Sequence, residues 1–236
     1  MTSFLVNDTV ALDAGGLSFA LPVDRQAKVK DVFISHAHLD HTCCLPFLID
    51  NSFAAPGFSL RIYGIHEVVS ALSRHLFNGS LWPDFTSIPD DLTPVLKLVT
   101  LEPEKAVKVG KLKIRAVPVS HSVPTTGFIV DDGEGSLAFS SDTGPTHHFW
   151  DVVNATKNLK AVITESSFPN SEEDLARISG HLTPALLGKE LEKLKRDVPV
   201  YIYGAKPRFV SRIKKEIAVL KRKNVTMFVQ GRTYTV

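Results

Sequence analysis

Cysteine is almost missing from this chain: two residues in 236, adjacent at Cys43 and Cys44. Two neighbours cannot build the disulfide framework on which small secreted domains depend. Long apolar runs are missing as well, and none approaches the ~20 residues that a bilayer-spanning helix needs. The opening residues carry no basic segment followed by an apolar one, so no secretory signal is read there. There is no internal repeat and no low-complexity linker. Nor is one sign of charge in excess, the formal net charge being +2. With 44% apolar and 22% charged residues a globular core is expected rather than disorder. The expectation is a soluble, cytoplasmic protein with one domain over residues 1–236 and no membrane partner.

Charge is uneven along the chain. Between Lys189 and Lys223 stand twelve Lys/Arg and four Asp/Glu, a local excess of +8. Such a segment suits phosphates or nucleic acid, and it equally suits amphipathic surface helices with solvated basic faces.

The hydrophobic pattern reads as mixed α/β. Short β-rich runs lie at 31–35, 111–119, 127–130, 137–140, 161–164, 198–203 and 225–229. Helical spacing is found at 66–77, 183–196 and 207–222, where Phe209, Ile213, Ile217 and Leu220 recur with basic residues between them. Asp131-Asp132-Gly133-Glu134-Gly135 carries a hairpin-turn signature. The stretch 80–103, rich in proline and aspartate, is expected to form an extended loop or cap.

Chemistry concentrates in Ser35-His36-Ala37-His38-Leu39-Asp40-His41, directly after an apolar strand. Residues two apart on extended chain face one side, so His36 and His38 can aim two imidazoles at one point. Asp40 and His41, where a helix starts, can serve a second point nearby. Imidazole with carboxylate suits zinc, manganese or iron, and no thiolate pattern competes.

This His-x-His-x-Asp-His run resembles the metallo-β-lactamase superfamily. Further words narrow the likeness: His75-Leu76-Phe77-Asn78-Gly79-Ser80-Leu81-Trp82-Pro83-Asp84-Phe85, Asp142-Thr143-Gly144-Pro145, Glu165-Ser166-Ser167-Phe168-Pro169 and Gly180-His181-Leu182-Thr183-Pro184. Together they look like the class II cyclic-nucleotide phosphodiesterases, over about residues 30 to 207.

The resemblance implies an αββα four-layer sandwich holding two divalent metal ions, zinc foremost, with manganese or iron as alternatives. It implies His36, His38 and His121 as ligands of the first metal, Asp40 and His41 of the second, and Asp142 as the bridge. The implied reaction is hydrolysis of a phosphodiester, above all 3′,5′-cyclic AMP to 5′-AMP, by a metal-activated hydroxide that Asp40 orients. His181 would contact the phosphate or give a proton to the leaving oxygen. His75, Asn78 and Trp82 would line the nucleotide pocket, Trp82 by stacking on adenine, although a tryptophan there suits the core equally. Glu165 would hydrogen-bond a ligand imidazole, while Cys43 and Cys44 pack. His66, His147 and His148 read as cap or surface residues.

One position departs from the family pattern. A histidine is expected after the late strand, just before Lys206-Pro207, and Gly204 stands there. The second metal would then have fewer protein ligands, unless His181 turns to it. The expected partners are a small cyclic nucleotide and a second copy of the chain in a homodimer. Two other readings are a tRNA 3′-processing endonuclease of the same superfamily, drawing on the basic C-terminal segment, and a non-catalytic nucleotide-binding sensor.

Overall fold

A computed structural model describes residues 1–236, which divide into two compact units, Met1–Glu102 and Pro103–Val236. The first carries a five-stranded sheet in sequence order: β1 (Phe4–Val6), β2 (Val10–Leu12), β3 (Asp31–Phe33), β4 (Leu60–Gly64) and β5 (Leu96–Thr100). A hairpin joins β1 to β2 antiparallel through Asn7 and Asp8, both at positive φ. The pairs β2–β3, β3–β4 and β4–β5 are parallel. Parallel strands are covered on their faces and so read as continuous apolar runs. Accordingly Val32, Ile34, Leu60, Ile62 and Leu96 are fully or almost fully buried, with Leu45, Leu48 and Ile49 of helix Leu45–Asp50 packed in the same cluster.

The second unit carries seven strands: β6 (Ala106–Val109), β7 (Leu112–Pro118), β8 (Thr126–Asp131), β9 (Ser136–Phe139), β10 (Leu159–Glu165), β11 (Val200–Tyr203) and β12 (Val225–Met227). Their order is β12-β11-β10-β9-β8-β7-β6. β6 through β9 pair antiparallel, and β9 through β12 pair parallel. β7 and β9 both oppose β8 and therefore run the same way. The carboxyl ends of β7, β9, β10 and β11 thus lie along one edge of this sheet. The core beneath them joins Val117, Ala138, Val162 and Ile202 to Phe149, Leu187 and Ile213 from the helices.

The strands expected from sequence in the second unit are present, as is the hairpin turn. There Gly133 has φ +94, and Asp132 Oδ1 accepts from the N–H groups of Glu134 and Gly135. The stretch 80–103 is not wholly loop, because its Leu96–Thr100 portion pairs with β4. The helices are shorter than their periodicity suggests: His66–His75, Pro184–Leu191 and Val210–Val219. The last is preceded by a 3-10 turn at Pro207–Phe209, and Lys221 just beyond it adopts φ +51. A left-handed residue cannot continue a right-handed helix. No helix is long and apolar enough to cross a membrane.

Candidate metal centre

In the first unit β3 delivers the chain into Ser35 and His36, both buried, and a short helix, Leu39–Thr42, begins after His38. His36 Nε2 and His38 Nδ1 face each other at 3.0 Å. That separation suits two ligands of one cation whose bonds are ~2.0–2.1 Å long. The ring of His41 lies 4.1 Å from that of His36, centroid to centroid.

One of these imidazoles, His41, is held by a residue that the motif does not contain. Asp13, fully buried at the end of β2, accepts from the Ser35 N–H at 2.8 Å and the Ser35 hydroxyl at 2.9 Å. Its other contact is His41 Nδ1 at 2.7 Å. A carboxylate can only accept there, so His41 carries its proton on Nδ1 and presents Nε2 unprotonated, the form a cation requires. Glycine at 15 makes the clamp possible. A Cβ there would stand 1.7 Å from the Asp40 carbonyl oxygen, and no rotamer relieves a contact of that length.

In the second unit four strand ends each supply one group. His121 follows β7, and its Nδ1 meets the Gly180 carbonyl at 2.8 Å. A carbonyl only accepts, so this histidine too presents Nε2. Gly180 sits at φ +68, where a side chain would strike the backbone of His121 and Ser122. Asp142 follows β9 and is 5% exposed. Glu165, at the end of β10, is fully buried and meets His181 Nδ1 at 2.6 Å. Tyr203, at the end of β11, donates its hydroxyl to Asp142 Oδ1 at 3.2 Å. Ligand atoms of His121, Asp142 and His181 lie within 4.8 Å of one another.

The electrostatics of this cluster favour a retained proton. Burial raises the Glu165 carboxyl above its ordinary 4.5, against the opposing pull of His181. Burial works to lower His181, but the hydrogen bond and charge of Glu165, with Asp142 added, outweigh it and raise the imidazole above 6.5.

The expected nucleotide-binding residues part company. His75 lines an apolar cavity of about 230 Å³, with Ala37, Leu39 and Thr42 of the metal loop on its wall beside Ala71 and Leu81. Asn78 does not line it. Its amide closes a turn, accepting from the N–H groups of Ser80 and Leu81 and donating to the Arg74 carbonyl. Trp82 packs against the core cluster, 5.5 Å from the ring of Phe47. His147 and His148 are exposed, and His148 bonds Glu104 at 2.8 Å. Cys44 is buried in the core of the first unit, as expected of a packing residue.

Within each unit the donor chemistry fits divalent cations: His36 and His41 in the first and His121 and His181 in the second are fixed through Nδ1, with carboxylates beside them. Asp13 and Tyr203 were not legible in advance. Asp13 is remote in sequence from the histidine motif and Tyr203 from Asp142, and only strand pairing within each unit brings them together.

A family model described as "Beta-lactamase superfamily domain" matches residues 6–202. A Yersinia pestis protein named "Probable 3′,5′-cyclic-nucleotide phosphodiesterase" is 28% identical over 227 residues, covering 81% of this chain and 63% of that protein. The 3′,5′-cyclic-nucleotide phosphodiesterase of Aliivibrio fischeri is 33% identical over 184 residues, covering 71% of this chain and 54% of that one. The chain thus spans between half and two thirds of the length of these relatives. The crystal structure of unliganded yeast PDE1 matches with a TM-score of 0.77 at 22% identity, covering 89% of this chain and 69% of the other, a likeness of fold. With two mixed sheets and the family's signature over most of its length, the chain belongs to the β-lactamase superfamily and has the metallo-β-lactamase fold.

Proposed function

We propose that this chain hydrolyses a cyclic-nucleotide phosphodiester, 3′,5′-cyclic AMP to 5′-AMP. The observation carrying the reading is the His121, Asp142 and His181 cluster in a chain whose relatives bear that enzyme's name. The residues that would hold divalent cations, zinc foremost, are His36, His38, Asp40 and His41 in the first unit and His121 and Asp142 in the second. Bound there, such ions lower the pKa of water and draw charge off phosphoryl oxygens.

The protein groups divide the remaining work. Asp40 accepts a hydrogen bond from the attacking water and sets its direction. As the water oxygen bonds to phosphorus, the bond to the ribose 3′ oxygen breaks, and that oxygen needs a proton. His181, held through Nδ1 by Glu165 and charged beyond the ordinary range, is the donor. The apolar cavity bounded by His75 and the metal loop takes the base.

The test is incubation of metal-replete protein with 3′,5′-cyclic AMP, with 5′-AMP followed by chromatography and Asp142→Asn as the blank. Wild-type turnover with an inert, folded variant supports the reading. No turnover with either zinc or manganese sinks it. The basic segment 189–223 favours a second reading, cleavage of RNA 3′ ends, so a tRNA precursor is the second substrate to try.

A further inference from the structure

Position 204, where the family resemblance leads one to expect a histidine, is a glycine in the left-handed region. Gly204 has φ +83, and a Cβ there would lie 3.2 Å from Ser167 Oγ and 3.5 Å from Glu165 Cβ. The chain is tied on both sides of this glycine: Ser166 N–H donates to the Tyr203 carbonyl at 3.0 Å, and Lys206 N–H to the Ser167 carbonyl at 3.1 Å. An imidazole cannot simply be added to a left-handed residue in so narrow a space.

We infer that Tyr203 does the work of the missing residue: it is a positioning residue that fixes the Asp142 carboxylate for the second metal. The inference rests on the two-metal reading above. Tyr203 is 9% exposed, with its ring 5.6 Å from that of Phe139. Packed this way the phenol has little freedom, and its hydroxyl hydrogen points at Asp142 Oδ1. Asp142 Oδ2 lies on the side of His181, 4.0 Å from Nδ1. A carboxylate that would ligate a cation binds it better when its orientation is fixed beforehand by a hydrogen bond. The phenol supplies that constraint without adding a charge, whereas an imidazole would supply a bond.

The experiment is a metal titration of the full chain, stripped and reloaded with cobalt or zinc against a chromophoric chelator. Wild type is expected to take two equivalents. Tyr203→Phe, which keeps the ring and its packing, is expected to hold one as before and the other on the order of 10–100-fold more weakly. The cobalt absorption bands of that second equivalent are expected to shift. Gly204→His is expected to bring no tightening. In the wild type, loading the second equivalent is expected to perturb the ultraviolet absorption of a buried tyrosine, a signal absent from Tyr203→Phe. Two unaltered equivalents in Tyr203→Phe overturn the inference, as does a tenfold tightening in Gly204→His. Binding of a single equivalent by wild type overturns it together with the two-metal reading. No substrate enters the titration, so inactivity toward cyclic AMP with both equivalents bound would defeat the proposed reaction alone.

Discussion

The proton shared by Glu165 and His181 is the residue-scale feature with the most direct consequence. His181 has its pKa raised in the folded state, so the stabilisation it brings is complete below its ordinary 6.5 and is lost as pH rises through the raised value. Glu165, also raised, pushes in the same direction. Metal-free protein is therefore expected to melt at lower temperature as pH climbs above about 6.5. In His181→Gln that slope flattens, and thermal melts across a pH series check it. An identical slope in both proteins would separate the pair from the effect. In the proposed hydrolysis the sign is the same, since a deprotonated His181 would have no proton for the leaving oxygen. Asp13 supports a second expectation. In Asp13→Asn one face of the amide must present N–H to either Ser35 N–H or His41 Nδ1–H, whichever way it is flipped. Relief comes from moving the His41 proton to Nε2, which removes a donor, and a loss of metal affinity on the order of 10–100-fold is expected by chelator competition. The ligand run itself was legible, because three histidines and an aspartate within six residues announce their chemistry. Asp13 was not, since nothing near residue 13 marks it until β2 and β3 pair.

At the scale of elements, both sheets obey one rule: candidate site residues stand at the carboxyl ends of strands that run in the same direction, where loops can converge. In the first unit those are the ends of β2 and β3, and in the second the ends of β7, β9, β10 and β11. The loops must then pack very closely, which makes glycine indispensable at their crossing points. Gly15 marks the tightest of these, with the Asp40 carbonyl on one side and the Thr2 amide, 2.9 Å from a built Cβ, on the other. Gly15→Ala is expected to cost about 3 kcal/mol or more, on the order of 6–12 °C in Tm, and to loosen metal binding with it. A calorimetric melt of the variant decides this, and an unchanged Tm would mean the loop gives way freely. Strand legibility followed the same geometry. β8, β10 and β11 are buried apolar runs and were plain in the sequence. The β1–β2 hairpin has three residues per strand, too few to show alternation, and its Asn7-Asp8 turn lacks the glycine that usually marks one. β5 follows a proline- and aspartate-rich loop and has no clean alternation, Val99 being as apolar and as half-buried as Leu98 beside it.

For the whole molecule, the distribution of charge gives the two proposed phosphodiester substrates different expectations. The +8 segment includes helix Val210–Val219, whose inner face buries Ile213 and Ile217 while Lys214 and Lys215 are exposed. Arg212 on that helix is engaged by Glu216 at 3.1 Å. This is the pattern of an amphipathic surface helix, and a long RNA would use it as a phosphate track. A cyclic nucleotide carries one negative charge and needs no such track. Reversing both lysines in Lys214→Glu/Lys215→Glu takes the formal net charge from +2 to −2. With exposed charges screened beyond ~8 Å at physiological ionic strength, kcat/KM for cyclic AMP is expected to stay within about twofold of wild type. Should the chain act on RNA instead, the same variant must bind a tRNA precursor more weakly, and the dependence of affinity on salt must flatten by about 0.7 for each lost single-strand phosphate contact. A salt series of binding isotherms, run beside the hydrolysis assay, separates the cases. Flattening together with lost RNA cleavage makes the helix a nucleic-acid face. Unaltered isotherms with intact cyclic AMP hydrolysis make it ordinary solvated surface.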